Sequence, residues 1–321
     1  MSHQWDDDRL LPGHQQLTLQ LPSAQPAPGE PEEVAVVSAT LVRRREPTAR
    51  RALLYVHGWN DYYFQPHLAE AVEEMGFDFY AVDLRRYGRS LRPGQLPGFI
   101  TSLEDYFEEL DAAMAVLRES HDEVCLMGHS TGGLISALWA DARPGELTGL
   151  VLNSPWLDLQ GSPLLRAITA PVLQRLRTTY PTTLLPLPNN GLYARTIEAE
   201  LDGEWTMVRE LKGVNDFQIR VGWLAAVLAG HDRVAVGLSI DYPVLVLTSA
   251  RSDFRRTWDE ALLRADAVLD VDKIVAKAVR LGNHVTMVRI DGGLHDLALS
   301  AEAVRGRYFD EVARWTAAYT G

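Results

Sequence analysis

One serine stands where a chain would make it a nucleophile. Val124-Cys125-Leu126-Met127 is a short apolar run, Gly128-His129-Ser130-Thr131-Gly132 reads as a tight turn, and Leu134 to Ala142 is helix-forming. Strand, sharp turn and helix with Ser130 at the apex force that residue into a strained backbone conformation and hold its hydroxyl clear of both elements. Gly128 and Gly132 answer to the same geometry, because a Cβ at either would crowd the strand against the helix; Gly133 extends that clearance. A serine hydroxyl is a weak nucleophile at neutral pH. It needs a base to take its proton and a carboxylate to orient that base. The chemistry such a set performs is acyl transfer through a covalent acyl-enzyme.

The base is expected to be His295, in Gly292-Gly293-Leu294-His295-Asp296 at the end of the strand-like run His284 to Ile290. His284 begins that run and so belongs to the opposite end of the sheet. The acid is open between two main candidates. Asp253 follows the run Val244 to Thr248, where position would put it. Between acid and histidine, however, the chain must fit one helix of ~10–14 residues, one strand of ~5–6 and short loops, roughly thirty residues in all. Asp266 meets that spacing and Asp253 overshoots it, which favours Asp266, with Arg255 to Arg264 read as a short helical excursion and Asp270 as a further alternative. An oxyanion needs two donors already in place. The backbone N–H of Thr131 is one, and the N–H of Trp59, in His57-Gly58-Trp59-Asn60-Asp61-Tyr62-Tyr63, is expected to be the other. The His57 side chain is read as structural and Asp83 to Ser90 as a scaffold loop beside the site. Trp59, Tyr62, Tyr63 and Phe64 are expected to shape the pocket.

The elements that must position these groups alternate. Ala52–Val56, Phe77–Val82, Glu123–Met127, Gly149–Ser154, Tyr242–Thr248 and His284–Ile290 read as strands. Pro66–Met75, Ser102–Glu119, Val271–Leu281 and Ala301–Ala318 read as helices. Such alternation predicts an α/β fold with a doubly wound, mostly parallel sheet and right-handed crossovers. Residues 1–30 read as an extended lead-in with one strand near Leu17 to Leu21. Glu33 to Arg43 suits an antiparallel edge strand, and the arginines Arg43, Arg44, Arg45, Arg50 and Arg51 a solvated hairpin end. The alternation stops from Pro155 to about Gly237, which predicts a helical cap inserted after the strand Gly149–Ser154. The core then divides into residues 1–154 and 238–321 around a cap at 155–237. Within the cap, Leu164, Leu165, Ile168, Val172 and Leu176 share a helical face with Pro171 as a kink. That face is either a wall for an acyl chain or a surface that docks the cap.

Composition removes several classes. With a net charge of −12 and no basic stripe, nucleic-acid binding has no support. Met1 to Asp8 is acidic and lacks an apolar core, so no secretory signal is expected. No run approaches the ~18 apolar residues of a membrane span. The single cysteine, Cys125, lies in a core strand and excludes an internal disulfide framework. A reduced, cytoplasmic setting fits these features. The His-Asp pairs at 121–122, 231–232 and 295–296 lack the further ligands of a dinuclear metal site, and the phosphate-loop and dinucleotide glycine motifs are missing.

Ala52 to Trp59, Asp83 to Ser90, Gly128 to Gly133, Ala265 to Asp270 and Gly292 to Asp296 together resemble an α/β-hydrolase, in the serine aminopeptidase and monoacylglycerol lipase/lysophospholipase-like branch. The resemblance runs from about residue 50 to the C-terminus; the extra stretch between Ser249 and Asp266 departs from it. It implies hydrolysis of an ester, thioester or amide with no metal or organic cofactor. The reading adopted is a hydrolase for a small-molecule or lipid-like carboxylic ester. A peptidase or amidase on the same residues, or a slow ligand-binding homologue, are the alternatives.

Overall fold

The apolar runs become strands of a single sheet. The computed structural model describes residues 3–34, 36–159, 163–186, 191–212 and 217–320, with backbone alone for 163–170. Strands β1 (Asp6–Asp7), β2 (Gln15–Gln20), β3 (Ser38–Arg43), β4 (Arg51–Val56), β5 (Asp78–Asp83), β6 (Glu123–His129), β7 (Gly149–Asn153), β8 (Val244–Ser249) and β9 (Val285–Ile290) lie in the order β1-β2-β3-β5-β4-β6-β7-β8-β9. From β5 to β9 every pairing is parallel; β1, β2 and β3 add antiparallel on the β5 side. Alternate residues of a strand feed opposite faces. Ala52, Leu54 and Val56 of β4 join one apolar core, while Leu53 and Tyr55 join the other. Both faces are covered, so the inner strands are apolar throughout, as the continuous runs required.

The helices are α1 (Pro66–Glu74), α2 (Phe107–Leu117), α3 (Thr131–Ala142), α4 (Pro163–Thr179), α5 (Leu192–Ile197), α6 (Val221–Val236), α7 (Val271–Ala278) and α8 (Glu302–Tyr319). α1 and α8 cover one face with Leu68, Val72, Tyr308, Val312 and Trp315; α2, α3, α6 and α7 cover the other. The chain leaves β4 in one direction to reach β5 and then recrosses it to reach β6. That reversal opens a crevice at the C-terminal ends of β4 and β6, the place where parallel sheets bind ligands.

The N-terminal part departs from the expectation. β3 is not an edge strand, since β2 and β1 lie outside it and all six of its residues are buried. The lead-in is fastened to the core: Asp8 pairs with Arg89 at 2.7 Å and Glu30 with Arg86 at 2.8 Å, all four side chains being buried. The arginine cluster is solvated only in part: Arg45 and Arg50 are exposed, but the others are drawn into contacts. Arg43 is buried, donates to Gln15 and lies 4.0 Å over the Trp5 ring, and Arg44 and Arg45 pair with Glu73. Guanidinium stems pack on apolar surface while their heads find carboxylates, which charge patterning alone does not reveal. Two helices are also shorter than their sequence patterns. Residues 103–106 form a 3₁₀ turn capped by Ser102 before α2, and the excursion after β8 holds only the 3₁₀ turn Glu260–Arg264, capped by Asp259.

Between β7 and β8, α4 runs through Pro171 and rests on α6, where Gln174 Nε2 donates to the Ala225 carbonyl at 2.9 Å. Leu164, Leu165 and Ile168 lie outside the described side chains. Val172 is exposed and Leu176 half-buried. α6 contributes Trp223, Ala226, Val227 and Val234 to the main core, so the end of this insertion is part of the sheet's own cover.

Candidate active site

β6 delivers Ser130 directly into the N-terminus of α3, and the joint leaves the serine at φ 53°, ψ −118°. This is left-handed backbone for a residue with a Cβ, costing on the order of 1–3 kcal/mol that the surrounding packing must offset. The glycines show why it is tolerated. A Cβ on Gly128 would come within 2.6 Å of the Gly132 carbonyl, and one on Gly132 within 2.2 Å of the His57 carbonyl. The elbow is therefore pressed against both its own strand and the loop that follows β4.

The Ser130 hydroxyl donates to His295 Nε2 at 3.0 Å, and His295 Nδ1 donates to Asp266 Oδ2 at 2.9 Å. A carboxylate can only accept, so Nδ1 carries the proton and Nε2 offers its lone pair to the hydroxyl. Asp266 is fully buried, and its other oxygen accepts from the N–H groups of Val268 and Leu269. Asp253 is elsewhere: its carboxylate is held by Arg255 near the surface. The excursion explains the spacing. Asp253 N–H donates to the Asp266 carbonyl and Asp266 N–H to the Arg251 carbonyl, so residues 254–265 leave and return through one neck. Asp266 is thereby set just beyond β8.

The loop after β4 meets the elbow head on, with a Cβ on Gly58 standing only 3.0 Å from that of Ser130. Trp59 and Thr131 both line a cavity of about 450 Å³ that also contains Ser130 and His295. Thr131 opens α3, where backbone N–H groups are free of intrahelical partners and carry the positive end of the helix dipole. His57 bridges two loops: Nδ1 donates to the Gly58 carbonyl at 2.8 Å and Nε2 accepts from Leu84 N–H at 3.1 Å. Burial holds its basicity below that of a free histidine. The Asp83 to Ser90 segment is fastened in turn, since Asp83 accepts from Tyr63 N–H and from Arg89. Tyr62, Tyr63 and Phe64 do not line the cavity, contrary to expectation. The chain turns at Asn60 (φ 51°), after which Tyr63 enters the core below α1 and Tyr62 accepts from Val208 N–H of the insertion.

Several cavity residues escaped the sequence. Trp156 and Trp223 pack at a tilt beside Trp59 as an indole wall, Trp59 and Trp223 having ring centres 3.9 Å apart. Tyr193 of α5 meets the His295 ring edge-on at 5.5 Å. Lys212 reaches Asp61 at 2.5 Å, and Glu198 pairs with Arg209. Burial alone would raise the Asp61 carboxyl, but Lys212, His57 and His129 hold it below the usual carboxylate range. Nothing in the local sequence marks Lys212. Nothing local marks a tryptophan as cavity lining.

Six parallel strands, the reversal at β4 and the elbow after β6 define an α/β-hydrolase fold. The family model described as serine aminopeptidase, S33 matches residues 47–299, and the chain belongs to that family. Phospholipase YtpA of Bacillus subtilis is 33% identical over 110 residues, 34% of this chain and 41% of that protein. A monoacylglycerol lipase of Mycolicibacterium smegmatis is 28% identical over 137 residues, 41% of this chain and 48% of that protein. The matched stretch thus spans less than half the length of either curated relative. The crystal structure of the Paleococcus ferrophilus monoacylglycerol lipase superposes with a TM-score of 0.60 at 21% identity, covering 85% of this chain and 96% of that one. A Thermogutta terrifontis esterase gives 0.57 at 18% identity, covering 91% and 98%. These structural likenesses are of fold. No helix among the described residues is long and apolar enough to cross a membrane.

Proposed function

We propose that this protein is a serine hydrolase that cleaves a carboxylic ester through an acyl-enzyme. One observation carries the reading: the continuous relay from Ser130 to His295 to Asp266, at 3.0 and 2.9 Å. His295 takes the Ser130 proton as Oγ attacks the ester carbonyl, and the imidazolium that forms is stabilised by Asp266. The N–H groups of Thr131 and Trp59 receive the oxyanion, already oriented and partly shielded from water. His295 then gives its proton to the departing alcohol and activates the water that releases the acid.

The substrate side follows from the cavity walls. The indoles of Trp59, Trp156 and Trp223 offer an apolar surface for an acyl group, and the relatives named phospholipase and monoacylglycerol lipase support an ester. Residues 155 to about 220 act as the cap, since Tyr193, Glu198 and Lys212 reach the cavity from there. An aminopeptidase-like activity stands second, because the carboxylates Asp61 and Glu198 that could receive a free amine each already hold a cationic partner.

Labelling with a fluorophosphonate probe tests the reading. Wild type should label and Ser130→Ala should not; an unlabelled wild type overturns it. Esters of graded acyl length beside amino-acid anilides then rank the two activities.

A further inference from the structure

Beside the relay, a second set of buried groups converges without taking part in it. Asp61, His129 and Asp296 each offer one ligating atom, and these atoms lie within 4.8 Å of one another. Their remaining atoms are engaged. Asp61 Oδ1 accepts from Tyr62 N–H and Lys212 Nζ, and Asp296 Oδ1 accepts from Asn153 Nδ2 and Ala298 N–H. His129 Nδ1 donates to the Asn153 carbonyl at 3.1 Å, which turns the Nε2 lone pair outward. Asp61 Oδ2 and Asp296 Oδ2 are buried and have no hydrogen-bond partner among the described residues. Unpaired buried carboxylate oxygens are costly, and two carboxylates with one ammonium leave the cluster negative.

We propose that Asp61, His129 and Asp296 form a binding site for a divalent first-row cation of the zinc type, whose occupancy inhibits the enzyme. One imidazole nitrogen and two carboxylate oxygens are a donor set that zinc and its neighbours accept. Zinc holds its ligands at about 2.0–2.2 Å, so a spread within 4.8 Å closes around it with shifts under about 1 Å. Burial lowers the basicity of His129 and so favours the neutral, ligating imidazole. Asp61 and His129 line the cavity, which supplies an entry path. The inhibitory part rests on the proposed serine mechanism. Asp61 and His129 line the same cavity as Ser130 and His295, and the His129 and His295 rings are 4.9 Å apart, so a cation held there stands beside the serine and obstructs the site.

Calorimetric titration of the full chain with zinc chloride tests the site. Wild type should show one saturable site, weakened at least tenfold in Asp296→Asn and in His129→Gln. Lys212→Met should bind more tightly, because it removes a repelling ammonium and releases Asp61 Oδ1. This variant keeps the test decisive if either of the others fails to fold. All other histidines persist in every variant, so equal affinities throughout, or no saturable binding to wild type, overturn the site. Zinc at saturating concentration should also abolish fluorophosphonate labelling, reversibly on chelation; binding without that loss overturns the inhibitory role. An unlabelled, metal-free wild type would sink the serine mechanism, while the calorimetry would still judge the site.

Discussion

Two histidine loops flank Ser130, and their imidazoles differ in what they are bonded to. His295 has a carboxylate at Nδ1 and a hydroxyl at Nε2, so taking up a proton turns its contacts into charge-assisted ones. His57 is as deeply buried, but a carbonyl accepts from its Nδ1 and the Leu84 N–H donates to its Nε2. A proton arriving there would set N–H against N–H. Under the proposed mechanism the same side chain, as deeply buried, carries a proton in one loop, while in the other it is a brace. Partners decide the role, not residue type.

Removing the two imidazoles should therefore have opposite signatures. His295→Ala is expected to lower kcat/KM for an ester by a factor on the order of 10⁵–10⁶ with little change in thermal stability, the loss seen when a catalytic base is deleted. Steady-state kinetics beside a melting curve check this. Asp266→Asn should cost about 10⁴ in kcat, because the amide cannot enforce the Nδ1-protonated tautomer. His57→Ala should act chiefly on the fold. It strands the Leu84 N–H and the Gly58 carbonyl and opens a cavity, a loss of about 3 kcal/mol in chemical denaturation. Its activity loss should follow from the displaced Trp59 amide and remain well below that of His295→Ala.

pH separates the loops further. Burial lowers the basicity of His57 and also of His129 and His67, so the unfolded chain binds more protons than the native one once pH falls through the ordinary histidine value of about 6.5. Their stabilisation is complete above that value and lost below it, by at most about 1.4 kcal/mol per pH unit for each group. His57→Gln keeps a donor and an acceptor but does not titrate. Denaturation between pH 5 and 7 should show a shallower pH slope in this variant than in wild type; an equal slope would mean His57 is not held neutral.

The parts legible in advance share a physical basis. Ser130, Thr131 and the glycines around them belong to one continuous turn whose sterics leave few alternatives, and the parallel strands declared themselves as runs buried on both faces. His295 followed from strand polarity. The illegible parts depend on contacts between distant segments. The burial of Arg43, Arg86 and Arg89 needs Gln15, Glu30 and Asp8 to arrive from the lead-in, and the cavity wall needs Trp223 to be packed on Trp59 by α6. The convergence of Asp61, His129 and Asp296 is of the same kind, assembled from two loops and the end of β6, whose local sequences carry no sign of it.

The acid loop allows the finest comparison, because Asp253 and Asp266 share one neck and differ in environment. Asp253 hydrogen-bonds Arg255, which holds its carboxyl below the ordinary range while leaving it solvated; Asp266 is wholly buried against His295. The Asp253 contribution to the neck is its backbone N–H, which a side-chain change does not remove. Asp253→Asn should accordingly change kcat by no more than about twofold, as expected for the loss of one half-buried ion pair outside the site. Fluorophosphonate labelling rates for Asp253→Asn and Asp266→Asn, measured side by side, check this directly. If Asp253→Asn were the slower of the two, the carboxylate that orients His295 in solution would be reached by opening the neck, and the excursion would have to move during turnover.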